Sequence, residues 1–127
     1  MIHLEHINLV VDDIPAALRF YQAAFPHWRV RGGDKGTWYG KTRNWIHFGD
    51  DYQYIAFSDN GEGENRDLAG HQIGLAHFAF VTDNLDAVIA RLTQAVSLLP
   101  KMAWKIPIDA IFTSSMPMAL KSSLSSI

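Results

Sequence analysis

The chain has 127 residues, of which 48% are apolar and 19% charged, and its net charge at pH 7 is −2. This profile is typical of one globular domain, or of two small halves that share a core. It shows no basic stripe for nucleic acid, no apolar run near the roughly 18 residues of a membrane span, and no cysteine for a disulfide, a thiolate zinc site or a nucleophile. The first residues lack the pattern of a secretion signal, so we expect a cytoplasmic protein.

The first sixty residues predict one strand–helix–strand–strand–strand unit. Residues 2–11 alternate between two partly apolar sets, as in a strand covered on both faces. Asp12-Asp13 ends this strand and can cap a helix over Ile14–Phe25, with Pro15 in its first turn. The remaining predictions for this unit are short strands at 27–31, 44–49 and 52–58, a turn at 32–36 and a turn at Asp50-Asp51.

The opening strand recurs 71 residues further along the chain. At that offset Leu4 falls on Leu75, His6 on His77 and Asp12 on Asp83. A repeat of this kind predicts two copies of one structural unit. The second copy is expected to begin with a strand over 74–82 and a helix capped by Asp83 or Asn84.

We therefore predict an α+β fold of paired βαβββ modules in which the second module is incomplete. The predicted boundaries are a first module at 1–60, a polar linker at 61–73, the start of the second module at 74–95 and an aberrant tail at 96–127.

The tail shows none of the alternation that three further strands would need. In a shifted reading frame, the genetic code permits residues 101–127 to read NGMENPYRRNIYFIDANGFEVEFVEY. That string holds a strand, a turn and an alternating strand, which would complete the second module. We interpret the tail as frame-shifted, and a gene sequence with no single-base insertion or deletion near codons 94–101 would refute this.

Two such units, each with a His in its first strand, resemble the vicinal oxygen chelate superfamily. That family includes glyoxalase I, extradiol dioxygenases, fosfomycin-resistance proteins and bleomycin-binding proteins. The resemblance rests on residues 4–12, 16–21 and 74–81 and covers roughly residues 1–95.

The resemblance implies that His6 and His77 bind a divalent metal, with Fe, Mn, Ni and Zn as the candidates. Enzymes of the glyoxalase I type add a carboxylate from the fourth strand, but the matching position here is Ala56, which cannot bind metal. The dioxygenase-like subset takes a Glu from the last strand, which this chain holds only in the other frame. We therefore expect metal binding to be weak or absent in this chain.

Aromatic residues in the predicted strands suggest a pocket for a small-molecule substrate, with ordinary strand core as the competing interpretation. The candidate pocket residues are His47, Trp45, Tyr54 and Phe57. Two functions remain open: a metal-dependent lyase or dioxygenase, which the missing ligand can leave inactive, and a non-catalytic protein that binds an aromatic ligand. Because the missing strands leave sheet edges uncovered, we also expect a homodimer.

Overall fold

The computed structural model of the chain describes residues 1–64, 66–67, 69–97 and 112–114. The chain divides into two compact units, Met1–Gly63 and Glu64–Ile127. Most of the predicted tail lies outside the described residues, so the structure does not test the frame-shift hypothesis. In the part that is described, no helix is long and apolar enough to cross a membrane.

The first unit is a four-stranded sheet with one helix, and its elements follow the predicted order. They are β1 (His6–Val10), α1 (Ile14–Ala24), β2 (Arg29–Trp38), β3 (Lys41–Gly49) and β4 (Tyr54–Ser58). The strand order across the sheet is β1-β4-β3-β2, with β1 parallel to β4 and the other neighbours antiparallel. The predicted α+β class and the βαβββ order of the first module are confirmed.

Helix α1 begins where its capping residues predict. The carboxylate of Asp13 accepts a hydrogen bond from the backbone N–H of Ala16 at 3.1 Å, which satisfies one of the free donors of the first turn. The buried side of α1 packs on the sheet, where the ring of Tyr21 lies 5.2 Å from that of Phe57. The ring of Phe48 on β3 lies 5.7 Å from Trp28, just beyond the helix. The core of this unit therefore lies between α1 and one face of the sheet.

The turn predicted at 32–36 is wrong, because its glycines lie inside β2. The chain reverses instead at Tyr39 and Gly40, whose φ angles of +48° and +80° suit a two-residue hairpin. Strand β2 is an exposed edge of the sheet, where missing side chains cost little packing. At Gly33 a side chain would be excluded, since a Cβ there would lie 2.5 Å from the backbone oxygen of Trp45.

The second unit contains β5 (Phe80–Thr82), α2 (Leu85–Ser97) and β6 (Phe112–Ser114) among its described residues, with β5 parallel to β6. Asn84 caps α2 by accepting from the backbone N–H of Ala87 at 3.2 Å. The strand predicted over 74–82 forms only at its last three residues, so His77 lies before the strand and is exposed. Within the described residues β5 pairs over these three positions alone, and a strand needs a paired partner for its backbone groups.

Candidate functional site

The sheet of the first unit has two faces, and most of the predicted pocket residues share the one that points away from α1. We call it the open face. Strand register places His6 opposite Tyr54, and His47 opposite Ala56, whose other neighbour is Asn8. Trp45 lies opposite Ser58, two residues before His47 on β3 and two residues after Ala56 on β4. Because side chains alternate along a strand, these positions all project to the same side.

Four rings form a continuous aromatic row across the open face: His6, Tyr54, His47 and Trp45. The rings of His6 and Tyr54 are stacked with centroids 4.7 Å apart, and those of Tyr54 and His47 with centroids 4.3 Å apart. The ring of Trp45 lies 4.9 Å from that of His47. The structure thus brings together four of the predicted site residues in one surface.

Phe57 does not belong to this surface, which corrects its predicted role in the pocket. It lies between Ala56 and Ser58, so its side chain projects to the opposite face, where it is 0% exposed and contacts Tyr21 of α1. Phe57 lies three residues after Tyr54, so alternation alone puts their side chains on opposite faces. Phe57 was included in the predicted pocket because it is aromatic. Phe57 is a core residue.

Two arginines on the open face were missed by the sequence reasoning. The guanidinium carbon of Arg31 lies 4.6 Å from the centroid of Tyr54, and that of Arg43 lies 4.5 Å from the centroid of Trp38. Arg43 alternates with Trp45, so a period of two was available to place it on this face. Arg31 gave no such signal, because the register of β2 against β3 shifts between Val30 and Gly32.

A buried polar contact supports the far end of the open face. The hydroxyl of Ser58 is fully buried, accepts a hydrogen bond from Nη1 of Arg43 and donates to Oδ1 of Asn8 at 3.2 Å. A buried hydroxyl needs such partners, since leaving it unpaired costs about 1–3 kcal/mol. These bonds hold the Arg43 side chain against the sheet.

The two histidines of the aromatic row differ in their electrostatic surroundings. Desolvation lowers the pKa of His47 below its ordinary value, and electrostatic interactions with His6 and Arg31 lower it further. His47 is therefore neutral at pH 7. The ring Nδ1 of His6 lies 2.9 Å from the carboxylate of Glu5 at the sheet edge.

The described residues do not form a complete metal centre. No group of three or more His, Asp or Glu side chains in this part of the chain is placed to hold an ion. His6 and His47 stand on β1 and β3, which β4 separates by about 10 Å, whereas two imidazoles must each approach a metal to about 2 Å. His77, the other predicted ligand, belongs to the second unit.

Comparison with known proteins places the chain by family and by fold. Residues 3–100 match the family model described as the glyoxalase/bleomycin resistance protein/dioxygenase superfamily. No curated protein sequence matches the chain.

Among solved structures, a glyoxylase/bleomycin resistance protein/dioxygenase domain from Frankia sp. EAN1pec is similar at a TM-score of 0.60 and 22% identity, over 76% of this chain and 70% of that one. A glyoxalase family protein from Bacillus cereus gives 0.58 and 13%, over 74% and 72%. The fosfomycin resistance protein FosX from Mesorhizobium loti gives 0.50 and 19%, over 75% and 71%. At these identities the likeness concerns the fold.

Proposed function

The chain belongs to the glyoxalase/bleomycin resistance protein/dioxygenase superfamily, and we propose that it binds a small planar molecule on the open face of its first unit. The observation that carries this proposal is the aromatic row. Its central residues, Tyr54 and His47, are only partly buried, so part of their surface is accessible to a ligand. Aromatic contacts of this kind contribute about 0.5–1.5 kcal/mol each beyond the area that they bury.

The part of the open face that β2 forms, beside the aromatic row, has room for such a ligand. Gly32 pairs with His47 and Gly36 with Arg43, so both glycines face the same side as the row. A Cβ added at either position would meet no atom within 4 Å. A flat ligand could therefore lie along β2 and β3 while its ring contacts the row.

The experiment is a binding titration with two planar probes, 2-naphthoate and 2-naphthamide, followed by calorimetry and by the imidazole NMR signals of the protein. We expect saturable binding that Tyr54→Leu weakens about tenfold through loss of the ring contacts. Tyr52→Leu is the matched control, because Tyr52 is 83% exposed in the turn before β4 and outside the row. If neither probe binds, or if both variants weaken binding equally, the proposal fails.

A metal-dependent lyase or dioxygenase is the second candidate function, and the contact between Glu5 and His6 favours it. A metal-binding His usually bonds its other ring nitrogen to a carboxylate, and the contact at Nδ1 leaves Nε2 of His6 available. Bound to the donors that the resemblance implies, a divalent ion would act as a Lewis acid on vicinal oxygens. Because the described residues do not complete the site, we derive no reaction step through such an ion.

Metal analysis separates this candidate from the first. The enzyme proposal expects about one equivalent of Fe, Mn, Ni or Zn in a frame-restored protein, lost on His6→Ala or His77→Ala, and far less in the present chain. If neither the frame-restored protein nor the present chain contains metal, the enzyme proposal is contradicted. Saturable binding of an aromatic probe without metal supports the binding function.

We also propose that the chain forms a homodimer. In the four-stranded sheet of the first unit both β1 and β2 are edge strands, and exposed edges favour pairing with another chain. Apolar side chains lie exposed on or near these edges, at Leu4, Val10 and Val30. Light scattering at micromolar concentration tests the proposal, and a clean monomer would refute it.

A further inference from the structure

The basic side chains of the first unit differ in whether they form ion pairs. Arg29 pairs with Asp51 and Lys41 pairs with Glu62, both at 2.6 Å and both in exposed positions. In contrast, neither Arg31 nor Arg43 pairs with a carboxylate among the described residues.

The carboxylates that border the open face are already engaged. Glu5 contacts His6, and the carboxylate of Asp34 accepts a hydrogen bond from the backbone N–H of Lys35 at 2.7 Å. Neither acid forms an ion pair with Arg31 or Arg43 in the part of the chain that the structure describes. Because His47 is neutral at pH 7, it also adds no negative or positive charge to the centre of the row.

The position of Arg31 depends on a local irregularity in β2. Val30 pairs with Phe48 and Gly32 with His47, so Arg31 is the extra residue that interrupts the alternation. A bulge of this kind redirects a side chain, and here the redirected side chain lies over Tyr54. The ring contact leaves the N–H donors of the guanidinium available at its edges, in the planar arrangement that matches a carboxylate.

We propose that the ligand of the open face is an aromatic carboxylate, and that Arg31 is the residue that selects the anion. The inference rests on the proposed binding function and adds the charge of the ligand to it. In this arrangement the ligand ring contacts the aromatic row, and its carboxylate accepts hydrogen bonds from the edge of Arg31. Arg43 is held in position by its contacts with Ser58 and Trp38. It therefore adds positive charge near the ligand without bonding to the carboxylate itself.

The test compares 2-naphthoate with 2-naphthamide, which have nearly the same shape but differ by one negative charge. We expect the wild-type chain to bind 2-naphthoate about tenfold more tightly, as for a hydrogen-bonded ion pair in a partly exposed site. This preference should shrink as salt rises, because screening weakens exposed charges.

Arg31→Gln should remove most of this preference, while binding of 2-naphthamide changes little. Arg29→Gln is the matched control, since Arg29 lies on the same strand but pairs with Asp51, and it should keep the preference.

The possible results distinguish failure of the anion inference from failure of the proposed binding function. If both probes bind equally and Tyr54→Leu weakens both, the binding function stands and the anion inference is overturned. A preference that is undiminished in Arg31→Gln overturns the role of Arg31. If neither probe binds, the proposed function and this inference fail together.

Discussion

Replacing Phe57 by Leu tests the division of the sheet into a core face and an open face. Phe57 is fully buried, and its ring centroid lies 5.2 Å from that of Tyr21. The substitution therefore removes buried carbon atoms and one ring contact. A buried CH₂ is worth about 0.8 kcal/mol, and we expect a loss of about 2 kcal/mol in the free energy of unfolding. A unit of roughly sixty residues has about 3–9 kcal/mol in total, so the variant should fold with a clearly lower urea midpoint.

The same variant should bind the aromatic probes as the wild type does, because Phe57 lies on the far side of the sheet from the aromatic row. Urea unfolding gives the stability, and calorimetry below the unfolding transition gives the affinity. Tyr54→Leu provides the contrast, since it removes the centre of the row and should weaken binding. A Phe57→Leu variant with unchanged stability and weakened binding would refute the assignment of faces.

Three further predictions concern single groups of the first unit. Asp13→Ala should cost about 1 kcal/mol of stability in urea, because α1 loses its capping acceptor. Gly40→Ala should cost about 1–2 kcal/mol because Gly40 has φ of +80°, whereas Gly36→Ala, with open space around it, should stay within about 0.5 kcal/mol. Since the fold lowers the pKa of His47, the unfolded chain takes up that proton more readily: stability should fall as pH drops below 6.5, and His47→Gln should reduce this slope in urea unfolding at stepped pH.

The sequence predicted best the features that depend on local chemistry. The alternation of the first strand, the acidic cap of α1 and the turn before β4 each follow from residue types at fixed spacing, and the structure has all three. His6 was predicted as a metal ligand from the resemblance, and Trp45, His47 and Tyr54 as pocket residues from the aromatic composition of the strands. The structure places the four rings in one row.

The missed features depend on pairing between strands, which one strand does not encode. Five residues with three glycines at 32–36 look like a turn, but they form an extended edge strand because β3 provides the partner. The bulge that directs Arg31 over Tyr54 is likewise a property of the pair. His77 illustrates the opposite case, since its segment alternates well but lies mostly outside β5.

The repeat itself separates the two candidate functions. At an offset of 71 residues His6 has a matching His77, but the positions that would match Arg31 and Tyr54 fall in the tail at 96–127, where the repeat has ended. The aromatic and basic features of the open face are therefore particular to the first unit, whereas the metal role that the resemblance implies requires both copies.

His77→Ala tests this difference directly. If the ligand is bound by the first unit alone, His77→Ala should leave the affinity for 2-naphthoate within about twofold, a change of less than about 0.5 kcal/mol. Tyr54→Leu should weaken it in the same assay. Loss of binding in His77→Ala, with the far-ultraviolet circular dichroism unchanged, would show that the second unit contributes to the site. The symmetry of the sequence would then be functional as well as architectural.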